Sequence, residues 1–324
     1  MRTLDDAGYA PSHLRLWRIA GRSASGLILV AGVVGSGKST SMKIFIETLP
    51  GLPFKAIYTV EDPIEYEIRG AHQIEVLRDL GDDNETRRRY AKAMKGLLRA
   101  DLDGCFIGEV RDGLTAGFAL QISETGHLSL ATVHVHLISS IVPRLTNDDV
   151  GLSRQALTSP NIINLLVYQS LVPLLCQKCA EPPDVASAAD PEVAELLAFL
   201  KTEFKVPTHR MRFKHVGGCA ACGASGDRAG RGTTGRTVVA EMWQPDRTWL
   251  QHVRAGDDYA GLLHYRSHSD ADFCSENMDG KTVFEHALFK AIHGQIDPRE
   301  CNTFDSFERF EILRRPAPEA QTCA

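Results

Sequence analysis

The chain has 324 residues, room for two domains or for one large and one small. Apolar residues make up 43% of it, enough for a sizeable core, and no apolar run approaches the length of a membrane span. The formal net charge of −5 gives no general basic footprint for nucleic acid, and Met1-Arg2-Thr3-Leu4-Asp5-Asp6 lacks the apolar core of a signal peptide. A soluble, cytoplasmic protein is expected, with any membrane link made through a partner.

Residues 1–25 read as a lead-in helix. Leu14, Trp17 and Arg18 follow helical spacing within 11–20, and 21–25 is turn-prone. The short apolar run 26–31 reads as a buried strand. It leads into Gly32-Val33-Val34-Gly35-Ser36-Gly37-Lys38-Ser39-Thr40, which fits the phosphate-loop pattern G-x-x-x-x-G-K-[ST], and then into a helical stretch at 41–48. Strand, glycine loop and helix together aim backbone N–H groups and a helix N-terminus at a triphosphate. Gly32, Gly35 and Gly37 let the backbone wrap closely around phosphates. Lys38 supplies a charge for the β- and γ-phosphates, and the Ser39 hydroxyl can ligate Mg²⁺.

A strand at 55–60 runs into Glu61-Asp62-Pro63-Ile64-Glu65. Carboxylates at the end of a strand beside the first one can reach the γ-phosphate and its attacking water; the plain alternative is an acidic surface loop. Arg87, Arg88, Arg89, Lys92 and Lys95 read as a solvated helix face. A strand at 104–108 ends in Glu109, the form a second nucleotide motif takes when it orders Mg²⁺. A strand at 128–132 carries His127 before it and His134 after it. Either imidazole can report nucleotide state by a hydrogen bond to the γ-phosphate or the acidic loop, although a lone histidine is more often structural. With a further partial strand at 166–175, the alternation implies an α/β domain, a central sheet flanked by helices.

Beyond it, 180–192 reads as a Pro-, Ala-, Asp- and Ser-rich loop, 191–206 as helical and 216–236 as glycine-rich. A last helical region spans about 280–312, with Val283, Phe284, Ala287, Leu288 and Ala291 on one face. The expected division is 1–25 lead-in, 26–175 core, 176–240 cysteine-bearing subdomain, 241–315 C-terminal helical region and 316–324 disordered tail.

Of the 8 cysteines, Cys176 and Cys179 form one C-x-x-C pair and Cys219 and Cys222 another. In a reducing compartment two such pairs point to one structural zinc rather than to disulfides. Four thiolates close a tetrahedral site, and a small insertion with few apolar residues depends on the metal to fold.

The motifs, in this order, resemble one family: the secretion and pilus motor ATPases, meaning the assembly ATPases of type II secretion and type IV pili, with the retraction ATPases as near relatives. That family carries a phosphate loop, a Glu-Asp-Pro-x-Glu run, a Gly-Glu-x-Arg-Asp motif and a Thr-Gly-His…Thr-x-His box. Here they are Glu61-Asp62-Pro63-Ile64-Glu65, Gly108-Glu109-Val110-Arg111-Asp112 and Thr125-Gly126-His127…Thr132-Val133-His134. The resemblance covers about residues 5–305. It implies a RecA-like phosphate-loop core that hydrolyses ATP. Lys38, Ser39 and Thr40 would hold phosphates and Mg²⁺, Glu65 would polarise the attacking water with Asp62 nearby, and Glu109 would order Mg²⁺ through water. Arg99 matches an arginine near the nucleotide, while Lys95 stands where the family has a second one. The tetracysteine site belongs to the assembly and secretion branch.

The resemblance further implies a hexameric ring, of this chain or mixed with full-length paralogues, acting on an inner-membrane platform protein without direct nucleic-acid binding. Val33 replaces the loop's usual proline, Arg99-Ala100-Asp101-Leu102-Asp103 replaces Arg-Gln-Asp-Pro-Asp, and Gly104 and Cys105 weaken the strand before Glu109. The chain also starts just before the phosphate loop, where family members carry at least one further domain. A motor ATPase lacking that domain is therefore expected. The competing readings are a truncated nucleotide-binding remnant or interaction module, and a nucleic-acid motor, which the acidic charge disfavours.

Overall fold

The computed structural model describes residues 3–77, 82–223 and 232–310; the expected tail 316–324 lies outside them. The chain opens with α1 (Leu4–Ala7) and α2 (Pro11–Arg22). The latter buries His13, Leu16, Trp17, Ala20 and Gly21. The face that packs is thus Leu16/Trp17/Ala20, and Arg18, read from sequence as part of it, is exposed and donates back to the Leu14 carbonyl.

Next come β1 (Gly26–Ala31), α3 (Lys38–Glu47), β2 (Ile57–Glu61), β3 (Ala71–Glu75), α4 (Asp83–Leu97), β4 (Gly104–Ile107), α5 (Gly113–Glu124) and β5 (Leu128–Val133). Two short helices, α6 (Ile141–Thr146) and α7 (Arg154–Leu157), precede the long β6 (Ile163–Leu175). After it stand α8 (Pro183–Ala189), α9 (Pro191–Thr202), α10 (Ala220–Gly223), β7 (Thr233–Trp243), α11 (Arg247–Arg254), α12 (Asp258–Arg266), α13 (Val283–Ile292) and α14 (Phe307–Phe310). The supposed loop 180–192 therefore contains a helix, α8, with Pro183 at its first position, where the missing N–H costs nothing.

The strands form one sheet in the order β3-β2-β4-β5-β1-β6-β7. The pairs β1/β5, β1/β6, β2/β3, β2/β4 and β4/β5 are all parallel. β1, β4 and β5 are buried along their whole length, as apolar runs covered on both faces should be. Gly104 opens β4 and lies beside Leu128 of β5. A Cβ there would stand 3.1 Å from the Leu128 carbonyl oxygen, so the glycine admits the close approach to β5.

The chain divides into two compact units: Met1–Gln169 with Met242–His268, and Ser170–Glu241 with Ser269–Ala324. In the second, Phe204 packs against Phe199, Phe273, Phe284, Phe307 and Phe310 at ring-centroid separations of 5.5–6.1 Å. Helix α13 buries Val283, Phe284, Ala287, Leu288 and Ala291 and is closed at its start by a Thr282–Glu285 capping box.

Candidate functional site

Parallel strands bring the loops that follow them to one edge of the sheet, the usual place for a ligand in such folds. The register aligns Ala31 with Val133, Ile107 with Ala131 and Val60 with Ile107. The segments that follow these residues are the glycine loop, the His134 turn, the Glu109 turn and the carboxylate run 61–65.

The glycine loop has the backbone its sequence predicts. Gly37 caps α3 in the left-handed region at φ 84°. A Cβ on Gly32 would fall 2.4 Å from both the Gln169 carbonyl oxygen and Ser36 Oγ, so no other residue fits. Lys38 is buried and donates to the Gly32 and Val33 carbonyls at 2.7 and 3.1 Å. It makes no ion pair among the described residues. Burial pulls its pKa down, against the opposing fields of Glu109 and Glu65. Among the described residues the buried Ser36 hydroxyl has no hydrogen-bond partner. An unpaired buried ammonium and an orphaned hydroxyl in a loop ahead of a helix N-terminus suit an anion; Ser39 and Thr40 follow in the first turn of α3.

Around Lys38 stands a carboxylate–cation network. Glu109 Oε2 lies 2.6 Å from Arg111 Nη2, and Arg111 Nη1 lies 3.4 Å from Asp62 Oδ2. Glu109 Oε1 lies 3.1 Å from His134 Nε2. Desolvation and the Lys38 charge hold His134 below the usual imidazole range, against a backbone hydrogen bond at Gly32. Thr132 Oγ1 donates to the Gly108 carbonyl at 2.5 Å, and Val110 N–H donates to the Thr132 carbonyl at 2.8 Å, fixing the Glu109 turn on β5. Glu65 is exposed at the rim, close enough for its field to reach Lys38.

Two sequence candidates are not brought here. His127 sits at the N-terminal end of β5: its carbonyl accepts from Gly26 N–H, at the start of β1, and its Nδ1 lies 3.1 Å from Thr125 Oγ1. A strand of six residues, about 20 Å at 3.3 Å per residue, separates the two histidines of the box. Arg99 is exposed in the turn after α4 and makes no ion pair or hydrogen bond with the loop.

Other participants escaped the sequence reading. Gln169, fully buried at the end of the first unit's β6 segment, donates through Nε2 to the Ser36 carbonyl at 2.8 Å. Its Oε1 accepts from the Tyr9 hydroxyl, which also lies 3.1 Å from Ser41 Oγ. Burial pushes the Tyr9 phenol well above its ordinary pKa, keeping it a neutral donor. Neither residue carries a local motif; only an unexpected glutamine in an apolar strand marked the place. Arg111 lay inside a recognised motif, and its role as the bridge between Asp62 and Glu109 emerges only in three dimensions.

In the second unit the four cysteines converge. Cys176 and Cys219 sulfurs are 3.8 Å apart, Cys179 and Cys222 3.7 Å, and Cys219 and Cys222 3.8 Å. A Zn–S bond of about 2.3 Å puts the corners of a sulfur tetrahedron about 3.8 Å apart, so the set fits zinc. These separations are far beyond a disulfide bond. Backbone N–H groups of Cys219 and Gly232 point at Cys222 Sγ from 3.2 and 3.3 Å and pull its thiol down toward the thiolate a metal needs.

A parallel sheet whose strand-end loops gather a glycine loop, a buried lysine and a set of carboxylates defines the phosphate-loop class of α/β folds. The chain belongs to the Type II/IV secretion system protein family, whose pattern matches residues 1–288. It is 34% identical over 267 residues to type II secretion system protein E of Dickeya dadantii, covering 81% of this chain and 48% of that protein. It is 29% identical over 291 residues to the type IV pilus assembly ATPase PilB of Thermus thermophilus, covering 90% of this chain and 29% of that one. The chain thus spans half or less of these relatives' length. The crystal structure of the pilus retraction motor PilT with bound ADP shares the fold, with a TM-score of 0.60 at 20% identity over 96% of this chain and 69% of that one.

Proposed function

We propose that this chain is the nucleotide-hydrolysing unit of a motor ATPase that powers assembly of a type IV pilus or a type II secretion pseudopilus. The observation that carries the reading is the gathering of Glu109, His134, Asp62 and Arg111 into one network of close charged and polar contacts around a buried Lys38 that makes no ion pair among the described residues. Lys38 and the loop N–H groups from Gly32 to Thr40 would hold the phosphates of ATP. Ser39 and Glu109 would hold Mg²⁺, which when bound neutralises phosphate charge. Glu65, outside the network and exposed, is free to take the proton of an attacking water, with Asp62 fixed beside it by Arg111. His134 links Glu109 to the glycine loop and so couples the state of the phosphate site to the turn after β4. Cys176, Cys179, Cys219 and Cys222 would hold a structural Zn²⁺ in the subdomain 176–240.

The working assembly is a hexameric ring, of this chain or mixed with full-length paralogues. It acts at the cytoplasmic face of the inner membrane through a platform protein and binds no nucleic acid. The names of the relatives, type II secretion system protein E and type IV pilus assembly ATPase, support this reading. Among the described residues no helix is long and apolar enough to cross a membrane, which agrees with contact through a partner. The test is calorimetric titration with Mg-ATP, followed by phosphate release measured alone and with full-length paralogue subunits. Binding by the chain and turnover that depends on Glu65 are expected. Failure to bind Mg-ATP overturns the reading.

A further inference from the structure

Among the described residues, outside the nucleotide site and the cysteine set, one cluster of ligand-type side chains converges. Asp246, His264 and His268 each offer a donor atom, and these atoms all lie within 4.8 Å of one another. All three belong to the first unit. His264 lies on α12, and His268 follows one turn later, the chain still right-handed at Ser267, so both imidazoles leave the same side. Asp246 caps the start of α11.

The hydrogen bonds already made define which atoms remain free. Asp246 Oδ1 is committed to the Trp249 N–H at 2.8 Å, which leaves Oδ2 facing the histidines. His264 Nε2 lies 2.7 Å from Oδ2. His268 Nδ1 lies 2.9 Å from the His264 carbonyl oxygen. A carbonyl only accepts, so Nδ1 of His268 carries a proton and its Nε2, when the ring is neutral, presents a lone pair. That lone pair stands 4.0 Å from Asp246 Oδ2, too far for a hydrogen bond. The ring is held in place by Trp243, whose centroid is 4.8 Å away. An N–H to carbonyl bond that fixes the tautomer behind a free Nε2 is how histidine ligands are oriented in metal sites.

We propose that Asp246, His264 and His268 form a second metal site, for a borderline divalent transition ion of the Zn²⁺ type. Two imidazoles and one carboxylate oxygen are the donors such ions prefer, and a single carboxylate is too little for Ca²⁺ or Mg²⁺. Binding replaces the 2.7 Å hydrogen bond: His264 releases its Nε2 proton, or passes it to Nδ1, and three protein ligands leave an open position toward solvent. The metal would clasp the start of α11 to the end of α12. This site is separate from the cysteine set, which lies in the other unit.

The test uses Zn²⁺ alone as probe. The full chain and the variants H268Q and D246N are dialysed against the same buffered free Zn²⁺, and bound metal is counted. Asp246→Asn keeps an N-cap side chain, and His268 is 40% exposed, so both variants should fold like the parent. The wild-type chain should hold one zinc more than H268Q, with the affinity for that ion lowered at least about tenfold in each variant. Zn²⁺ should also shift the ring signals of His264 and His268 in nitrogen-detected NMR. Equal zinc content in all three proteins, or ring signals indifferent to Zn²⁺, overturns the proposal.

Discussion

Gln169 Nε2 donates to the Ser36 carbonyl across 2.8 Å, and both residues are buried. The bond props the glycine loop from beneath, and the Tyr9 hydroxyl on the other end of the same amide extends the prop to the segment between α1 and α2. The loop is therefore pre-shaped by two segments distant in sequence, not by its glycines alone.

Replacing Gln169 with Leu removes the donor to Ser36 and the acceptor for Tyr9 together. Each buried group left unpaired costs about 1–3 kcal/mol. Tyr9→Phe deletes the hydroxyl's bonds to Gln169 Oε1 and Ser41 Oγ but leaves the donor to the Ser36 carbonyl in place, so the loop keeps its prop and the cost should be smaller. Urea denaturation should rank wild type above Tyr9→Phe above Gln169→Leu, and Gln169→Leu should also bind nucleotide more weakly. A Gln169→Leu midpoint equal to wild type would show that the loop holds its shape unaided.

Lys38→Ala tests the phosphate loop directly. The lysine's contacts in the free protein are to its own loop's carbonyls, so its removal does not expose a buried carboxylate. A lost charge-assisted hydrogen bond of about 1.5–3 kcal/mol corresponds to an affinity loss of about tenfold to a hundredfold for Mg-ATP. Calorimetry that finds the same affinity in both proteins would remove Lys38 from the site.

The same substitution should be felt at His134. Burial and the Lys38 charge both hold its pKa below the ordinary imidazole value. The unfolded chain then binds the proton more readily than the folded one. This group's contribution to stability is present above the unfolded pKa, near 6.5, and is lost as pH falls through the folded value. Taking away the ammonium should raise the folded pKa and shrink that acid-side loss. An NMR titration of the His134 ring in wild type and Lys38→Ala gives the comparison; a pKa that stays put or falls in the variant contradicts the coupling.

What the sequence could convey tracks what is local. The glycine loop, the apolar strands β1, β4 and β5 and the cysteine spacing are runs of neighbours, and each is found where its pattern indicates. β3 was missed because Ala71-His72-Gln73-Ile74-Glu75 is a half-exposed edge with little apolar content. β7 was missed because it begins in the turn-like Thr233-Thr234-Gly235-Arg236, is buried only from Thr237 and turns apolar only from Val238 onward. His127 and His134 are seven residues apart and belong to one family box, and the strand that the sequence places between them carries them to opposite ends of the sheet. Gln169 and Tyr9 could not be assigned, because their work depends on a contact across 160 positions.

Glu65→Gln should separate binding from chemistry. The amide keeps the shape but cannot accept a proton, so Mg-ATP affinity should stay within about twofold while hydrolysis falls by about a hundredfold or more. Asp62→Asn should act differently, since Asp62 holds Arg111 and through it Glu109. Its loss should loosen the network and affect binding as well as rate. If Asp62→Asn alone abolishes turnover and Glu65→Gln keeps it, the proton acceptor is Asp62.

The cysteine set predicts one zinc that survives dialysis against a mild chelator. Its sulfurs are already at tetrahedral spacing, and two backbone N–H groups stand ready to share the negative charge on Cys222. Little reorganisation is left for the metal to induce, which favours tight binding. Protons compete for thiolates, so acidification should release zinc and free thiols together. Cys179→Ser removes a corner without touching the backbone hydrogen bonds to Cys222, and should lower the zinc that survives this dialysis to well below one per chain. Thiol titration of the native protein under reducing conditions completes the measurement: slow reaction of these four cysteines that becomes fast on adding a strong chelator is expected. Four thiols that react fast before any chelator is added would mean that no metal holds the tetrahedron.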